Sequence, residues 1–172
     1  MRQIFLFSLF VGLGTPPALA TNNPDCLDPV KAKIMFVAFV DRIRVAKNEV
    51  DLAMKSYAAA SADADKALHE VRLKWSAGEI EIAQKRELLL GGPEGVKIER
   101  KLLQFDRELN PRLLLIEKIN SLVQDQAVRE RVGCQVGSES IDFLREGKDL
   151  AMRLSQIIVN ETSLLRAALE NK

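Results

Sequence analysis

His69 is the only imidazole in a chain of 172 residues that carries two cysteines, Cys26 and Cys134. Zinc and copper sites gather several His or Cys ligands around one ion. His69 has only Asp65 and Glu70 nearby in sequence, which reads as a solvated helix position. Covalent haem attachment needs Cys-x-x-Cys-His, and neither cysteine has that setting. A Ser-His-Asp relay would have to be built on His69, yet no serine stands in a strained strand-to-helix elbow that would expose its hydroxyl. No catalytic, cofactor-binding or metal-binding residue is therefore assigned, and no cofactor is expected.

Other local patterns give way in the same manner. Gly91-Gly92-Pro93-Glu94-Gly95 is rich in glycine but lacks the Lys-Ser/Thr ending of a phosphate loop, so it reads as a break between helices. Asn160-Glu161-Thr162 fits the glycosylation acceptor pattern but falls in the middle of an expected helix. Carboxylates such as Glu94 and Glu99 alternate with Lys97, Arg100 and Lys101, the spacing of a solvated face with ion pairs rather than of paired catalytic acids. Overall, 25 basic against 24 acidic side chains give a formal charge of +1, so no basic excess points to nucleic acid.

The cysteines gain meaning from the first twenty residues. Met1-Arg2 begins with positive charge, Ile4 to Leu13 is apolar apart from Ser8 and Gly12, and Ala18-Leu19-Ala20 ends the segment. This is the three-part pattern of a secretory signal, with cleavage expected after Ala20. Gly14-Thr15-Pro16-Pro17 interrupts the run before it reaches the roughly 20 apolar residues that span a bilayer. Export to a periplasmic or extracellular space would place Cys26 and Cys134 in oxidising surroundings, where two thiols become one disulfide.

These residues must be positioned by helices, because 47% of the chain is hydrophobic while nine glycines and six prolines are thinly spread. After a polar, extended leader over 21–28, Asp28-Pro29 has the form of a helix cap followed by proline at the first helical position. Residues 29–172 are expected to form a single helical domain. From Pro29 to Ala77, Phe36, Phe39, Ile43, Ala46, Val50, Ala53, Tyr57, Ala60, Ala64, Ala67 and Val71 recur at steps of three and four, the seam of a coiled coil. The alanine sub-row Ala46, Ala53, Ala60 and Ala67 predicts a close antiparallel neighbour. Gly78 is the expected reversal, and Pro111 a kink or recapping within the return leg. Gly133 should close that leg, a turn should occupy 135–138, and a shorter last helix capped by Ser138 or Ser140 should run from about Glu139 to Leu169. The fold class is then all-α, an elongated antiparallel three-helix bundle or coiled-coil hairpin with a third C-terminal helix. Both cysteines would meet at one end, and the far tip of the hairpin would remain two-stranded.

With chemistry disfavoured, contact surfaces remain. Lys31, Lys33, Arg42, Arg44 and Lys47 form a basic stretch that could dock an acidic partner or anionic lipid head groups. Trp75, Ile80 and Ile82, near the expected tip, are the second candidate. In its export signal and long three-helix body the chain is similar to the helical minor subunits of bacterial conjugation and type IV secretion pili. That resemblance implies a non-enzymatic structural or accessory subunit of an envelope or secretion assembly, bound to protein partners or to itself, with peripheral membrane contact disfavoured. The alternative is a periplasmic chaperone or stress-response protein that holds unfolded clients on a helical surface. The repeated Leu-Thr-x-x-Gln motif of one such chaperone family is absent.

Overall fold

A computed structural model describes residues 24–74, 82–122 and 124–170. A 3-10 turn at Pro24–Leu27 leads into α1 (Pro29–Lys74), followed by α2 (Ile82–Leu89), α3 (Pro93–Leu122) and α4 (Gln126–Glu170), with no strand among the described residues. The chain is an all-α helical bundle, as its periodicity predicts. Asp28 caps α1 as expected, its Oδ1 accepting from Val30 N at 2.9 Å and Lys31 N at 3.3 Å. The leader departs from expectation, because Pro24–Leu27 is a helical turn rather than an extended segment.

Residue pairs fix the direction of each leg. Phe36 lies over Gly133 and Phe39 over Gly137, Glu49 accepts from Lys148 at 2.8 Å, and Asp63 accepts from both terminal nitrogens of Arg166 at 2.7 and 2.9 Å. Numbers rise together on both helices, so α1 and α4 are parallel and pack closely along their lengths. Along α3 they run in opposition: Gly91, just before it, meets Ile157, whereas Phe105 meets Gly147. The path is therefore up, down and up. The reversal falls between Lys74 and Pro93, and Gly78 itself lies outside the described residues.

The close neighbour of α1 differs in two ways from the one its sequence predicts. Ala53, Ala60 and Ala67 are buried where α1 and α4 run side by side, so the small row admits a parallel helix from the far end of the sequence and not the antiparallel return leg. The last helix is also not short. At 45 residues it spans about 68 Å, against about 69 Å for the 46 residues of α1, and it accompanies α1 past Asp63. Because Ala53 is buried in this seam, Ala53→Leu should overpack it and destabilise by about 1–3 kcal/mol, while Ala59→Leu on the exposed side should not. Thermal unfolding of the two variants checks this, and equal melting temperatures would place Ala53 against solvent.

Gly133 does not end the return leg, and residues 135–138 form no turn. Both Gly133 and Gly137 lie inside α4, which begins at Gln126 after the non-helical residues 124–125. Asp125 is the cap, its Oδ1 accepting from Ala127 N at 2.8 Å and Val128 N at 3.2 Å, in place of Ser138 or Ser140. Glycine within a helix costs about 1 kcal/mol relative to alanine, but here its missing side chain makes room for an aromatic ring from α1. The helix α3 continues through Pro111. At the other break, Gly91 and Gly92 take φ of 70° and 85°, with Gly92 N donating to Glu87 O and Gly91 N to Leu88 O. That pair of bonds closes the end of α2 in a Schellman cap, which needs glycine at its left-handed position.

Cys26 and Cys134 form a disulfide, with Cα atoms 5.9 Å apart across a sequence separation of 108. The cysteines meet at one end of the bundle as expected, but for a different reason. Cys134 rides on the third turn of α4 and does not terminate the return leg.

Candidate interaction surface

The first turns of α1 are apolar nearly all round. Of the seventeen residues from Val30 to Ala46, twelve are apolar, more than one buried stripe can use. Ala32, Phe39 and Val50 point into the bundle. Half a turn away, a second row is left bare: Val30 is 68% exposed, Ile34 65%, Val37 65%, Val45 54% and Leu52 64%. At 3.6 residues per turn these five fall within about 80° of arc. Asp41 and Asn48 are the polar members of the same row. This row escaped the sequence reading, which followed only the seam through Phe36 and Phe39. Its signal was present as a second set of steps of three and four.

One edge of the row opens into a groove of about 310 Å³ between α1 and α4. Ile34, Ala38 and Arg42 form one wall, Ser138, Ile141 and Arg145 the other, and Phe39 seated on Gly137 lies between them. Cys134 closes the groove toward the disulfide end, where Met35 Sδ lies 3.6 Å from its sulfur. The 3-10 turn is thereby fixed beside the groove.

The basic stretch is less cationic than its sequence. Lys31 Nζ pairs with Asp25 at 2.9 Å, Arg44 with Asp41 at 3.0 Å, and Lys47 with Asp51 at 2.8 Å. The hydrogen bond from Lys31 to Asp25, followed by the charge of the same carboxylate, raises the lysine above its ordinary range. Among the described residues, Lys33 and Arg42 remain without an ion-pair partner, and only Arg42 lines the groove. Trp75 and Ile80 lie outside the described residues, as does the side chain of Ile82.

Near the opposite end, Glu99 gathers two legs. It accepts from Tyr57 at 3.4 Å and from both Arg86 Nε and Arg86 Nη2. Burial, reinforced by the Glu99 charge, pushes the Tyr57 hydroxyl up, and the hydrogen bond to Glu99 raises Arg86. Through its Oε1 this carboxylate, held by an arginine and a tyrosine, ties α2 to α1 and α3. His69 is exposed on α1, and no cluster of three or more His, Cys, Asp or Glu able to hold a metal occurs among the described residues. Asn160 lies within α4, where its side chain accepts from Gln156 at 2.9 Å.

No family model, curated protein or solved structure matches this chain. Among the described residues no helix is long and apolar enough to cross a membrane. The arrangement offers an apolar row beside a shallow groove, with scattered charge at its borders.

Proposed function

We propose that this is an exported, non-enzymatic protein that works by protein contact, as a structural or accessory subunit of an envelope assembly, through the outer face of α1. The observation that carries the reading is the bare row Val30, Ile34, Val37, Val45 and Leu52, opposite the face that packs on α4. Ordered, aligned apolar side chains on a rigid helix match the way one helix presents anchors to another protein. Export rests on the Ile4 to Leu13 run and on Ala18-Leu19-Ala20, and a disulfide is compatible with it.

The test is recovery of partners from the envelope of the producing cell, comparing the natural chain with Val37→Asp. A defined set of partners, which includes any second copy of the chain, should be recovered with the natural protein and lost at least tenfold with the variant. Suppressed aggregation of unrelated unfolded proteins, without a defined partner, would instead favour the chaperone. Recovery unaffected by Val37→Asp would remove the α1 face from the reading.

A further inference from the structure

We infer that the partner on the outer face of α1 is a second copy of the same helix, packed antiparallel about a twofold axis beside Asp41. The inference rests on the reading of that face as a protein contact, and it is carried by the placement of charge along the row. Lys33 and Asp51 are eighteen residues apart, as are Lys31 and Glu49. Eighteen residues are five whole turns of α-helix, so each pair lies on one flank of the row, with lysine toward the N-terminus and carboxylate toward the C-terminus.

A twofold axis perpendicular to both helices reverses chain direction while leaving each flank on its own side. Lys33 of one copy then meets Asp51 of the second, and Lys31 meets Glu49, each within about 3 Å of level along the helix axis. In the same register Val37 faces Val45 of the second copy, and Val30 faces Leu52. In that register Asp41 faces its own counterpart across the axis, and each carboxylate is held by the Arg44 of its own copy, 3.0 Å away. Parallel pairing would set Lys33 beside Lys31 of the second copy and Asp51 beside Glu49, like against like, which disfavours that orientation.

The charges are engaged within the chain, Lys31 with Asp25 at the surface, and Asp51 with Lys47 and Glu49 with Lys148 half-exposed. Exposed pairs hold weakly, so a carboxylate can share or exchange its cation at little cost. An anionic lipid surface fits the row less well. Asp41 stands within the apolar row, and Glu49 and Asp51 border it, so its C-terminal half would repel lipid phosphates.

Sedimentation of the oxidised protein over micromolar to high micromolar concentrations tests the pairing, with circular dichroism as the control for folding. The natural chain should dimerise, and Val37→Asp should weaken the dimer at least tenfold at unchanged helicity. Lys33→Glu should weaken it several-fold, and Lys33→Glu combined with Asp51→Lys should restore it to within about twofold, the signature of a direct pair. A monomer at all concentrations overturns the inference, as does a dimer insensitive to Val37→Asp or a charge exchange without rescue. A monomer that sediments with phosphatidylglycerol vesicles, and loses this with Val37→Asp, also overturns it and assigns the row to lipid. If the protein is monomeric yet the envelope experiment recovers a different partner through Val37, the self-pairing fails while the contact reading stands. If that recovery is also insensitive to Val37→Asp, both fail.

Discussion

Cys134→Ser is expected to lower the melting temperature by on the order of 10 °C while leaving helical content at low temperature largely intact. The disulfide closes a sequence separation of 108 residues. Cross-linking so long a loop restricts the unfolded chain enough to stabilise the fold by about 4–5 kcal/mol as an upper figure, and a domain of this size shifts by about 2–4 °C per kcal/mol. The helices should persist because the main core lies away from the link, around Val50, Leu102, Leu144, Ala151, Leu154 and Ile158. The bond has a second effect, on register. It joins the turn before α1 to the third turn of α4, and a slip of one heptad between these parallel helices would separate the sulfurs by about 10 Å. The variant should therefore release the segment around Cys26, read as faster proteolysis ahead of Pro29. Thermal melts of the natural chain with and without reductant, beside the variant, check both parts. A melting temperature unaffected by reduction would mean that the parallel pair fixes its own register.

The second large effect is expected at Gly147, where glycine and an aromatic ring share one space. A Cβ built on Gly147 would lie 2.1 Å from two atoms of the Phe105 ring. That ring is buried and lies tilted against Phe143 with centroids 4.6 Å apart, and the Arg112 guanidinium sits 4.1 Å from the Phe143 centroid. Phe105 cannot swing aside without displacing Phe143. Helix propensity favours Gly147→Ala by up to about 1 kcal/mol, and overpacking opposes it by about 1–3 kcal/mol. With the overlap this deep, the net result should be destabilisation, larger for Gly147→Val. Gly133→Ala is the comparison, since its clash is with Phe36, a half-buried ring that has room to turn, and the loss there should be smaller. Combining Gly147→Ala with Phe105→Leu should recover part of the loss. Denaturant unfolding of the four variants reads the outcome, and a Gly147→Ala protein as stable as the natural one would mean that α3 and α4 can move apart without cost.

The two glycine-rich regions show how far local pattern reaches. Gly91-Gly92 reads as a break from sequence and is one, because a left-handed cap needs glycine whatever surrounds it. Gly133 also reads as a stop, and it is not one. What decides it is Phe36, nearly a hundred residues earlier, whose ring occupies the space a side chain would fill. Similarly, Asp28 is legible as a cap because proline follows it, whereas Asp125 caps α4 in a segment that the sequence assigns to the return leg. The contact surface divides in the same way. Lys31, Arg44 and Lys47 look like a basic patch in sequence, and their partners Asp25, Asp41 and Asp51 return them to ordinary ion pairs once the helix forms.

The sequence by itself determines that this protein is a bundle of long helices. Heptad spacing and composition act through the backbone of each helix, within a few residues, and need no knowledge of the partner. Only the tertiary structure decides that the alanine row of α1 receives α4 in parallel, that the glycines of α4 serve as seats for aromatic rings, and that the outer row of α1 is left bare. Those outcomes depend on which faces meet across about a hundred residues. Apolar stripes are interchangeable in pattern, and steric fit between ring and glycine selects among them only when the helices are in contact.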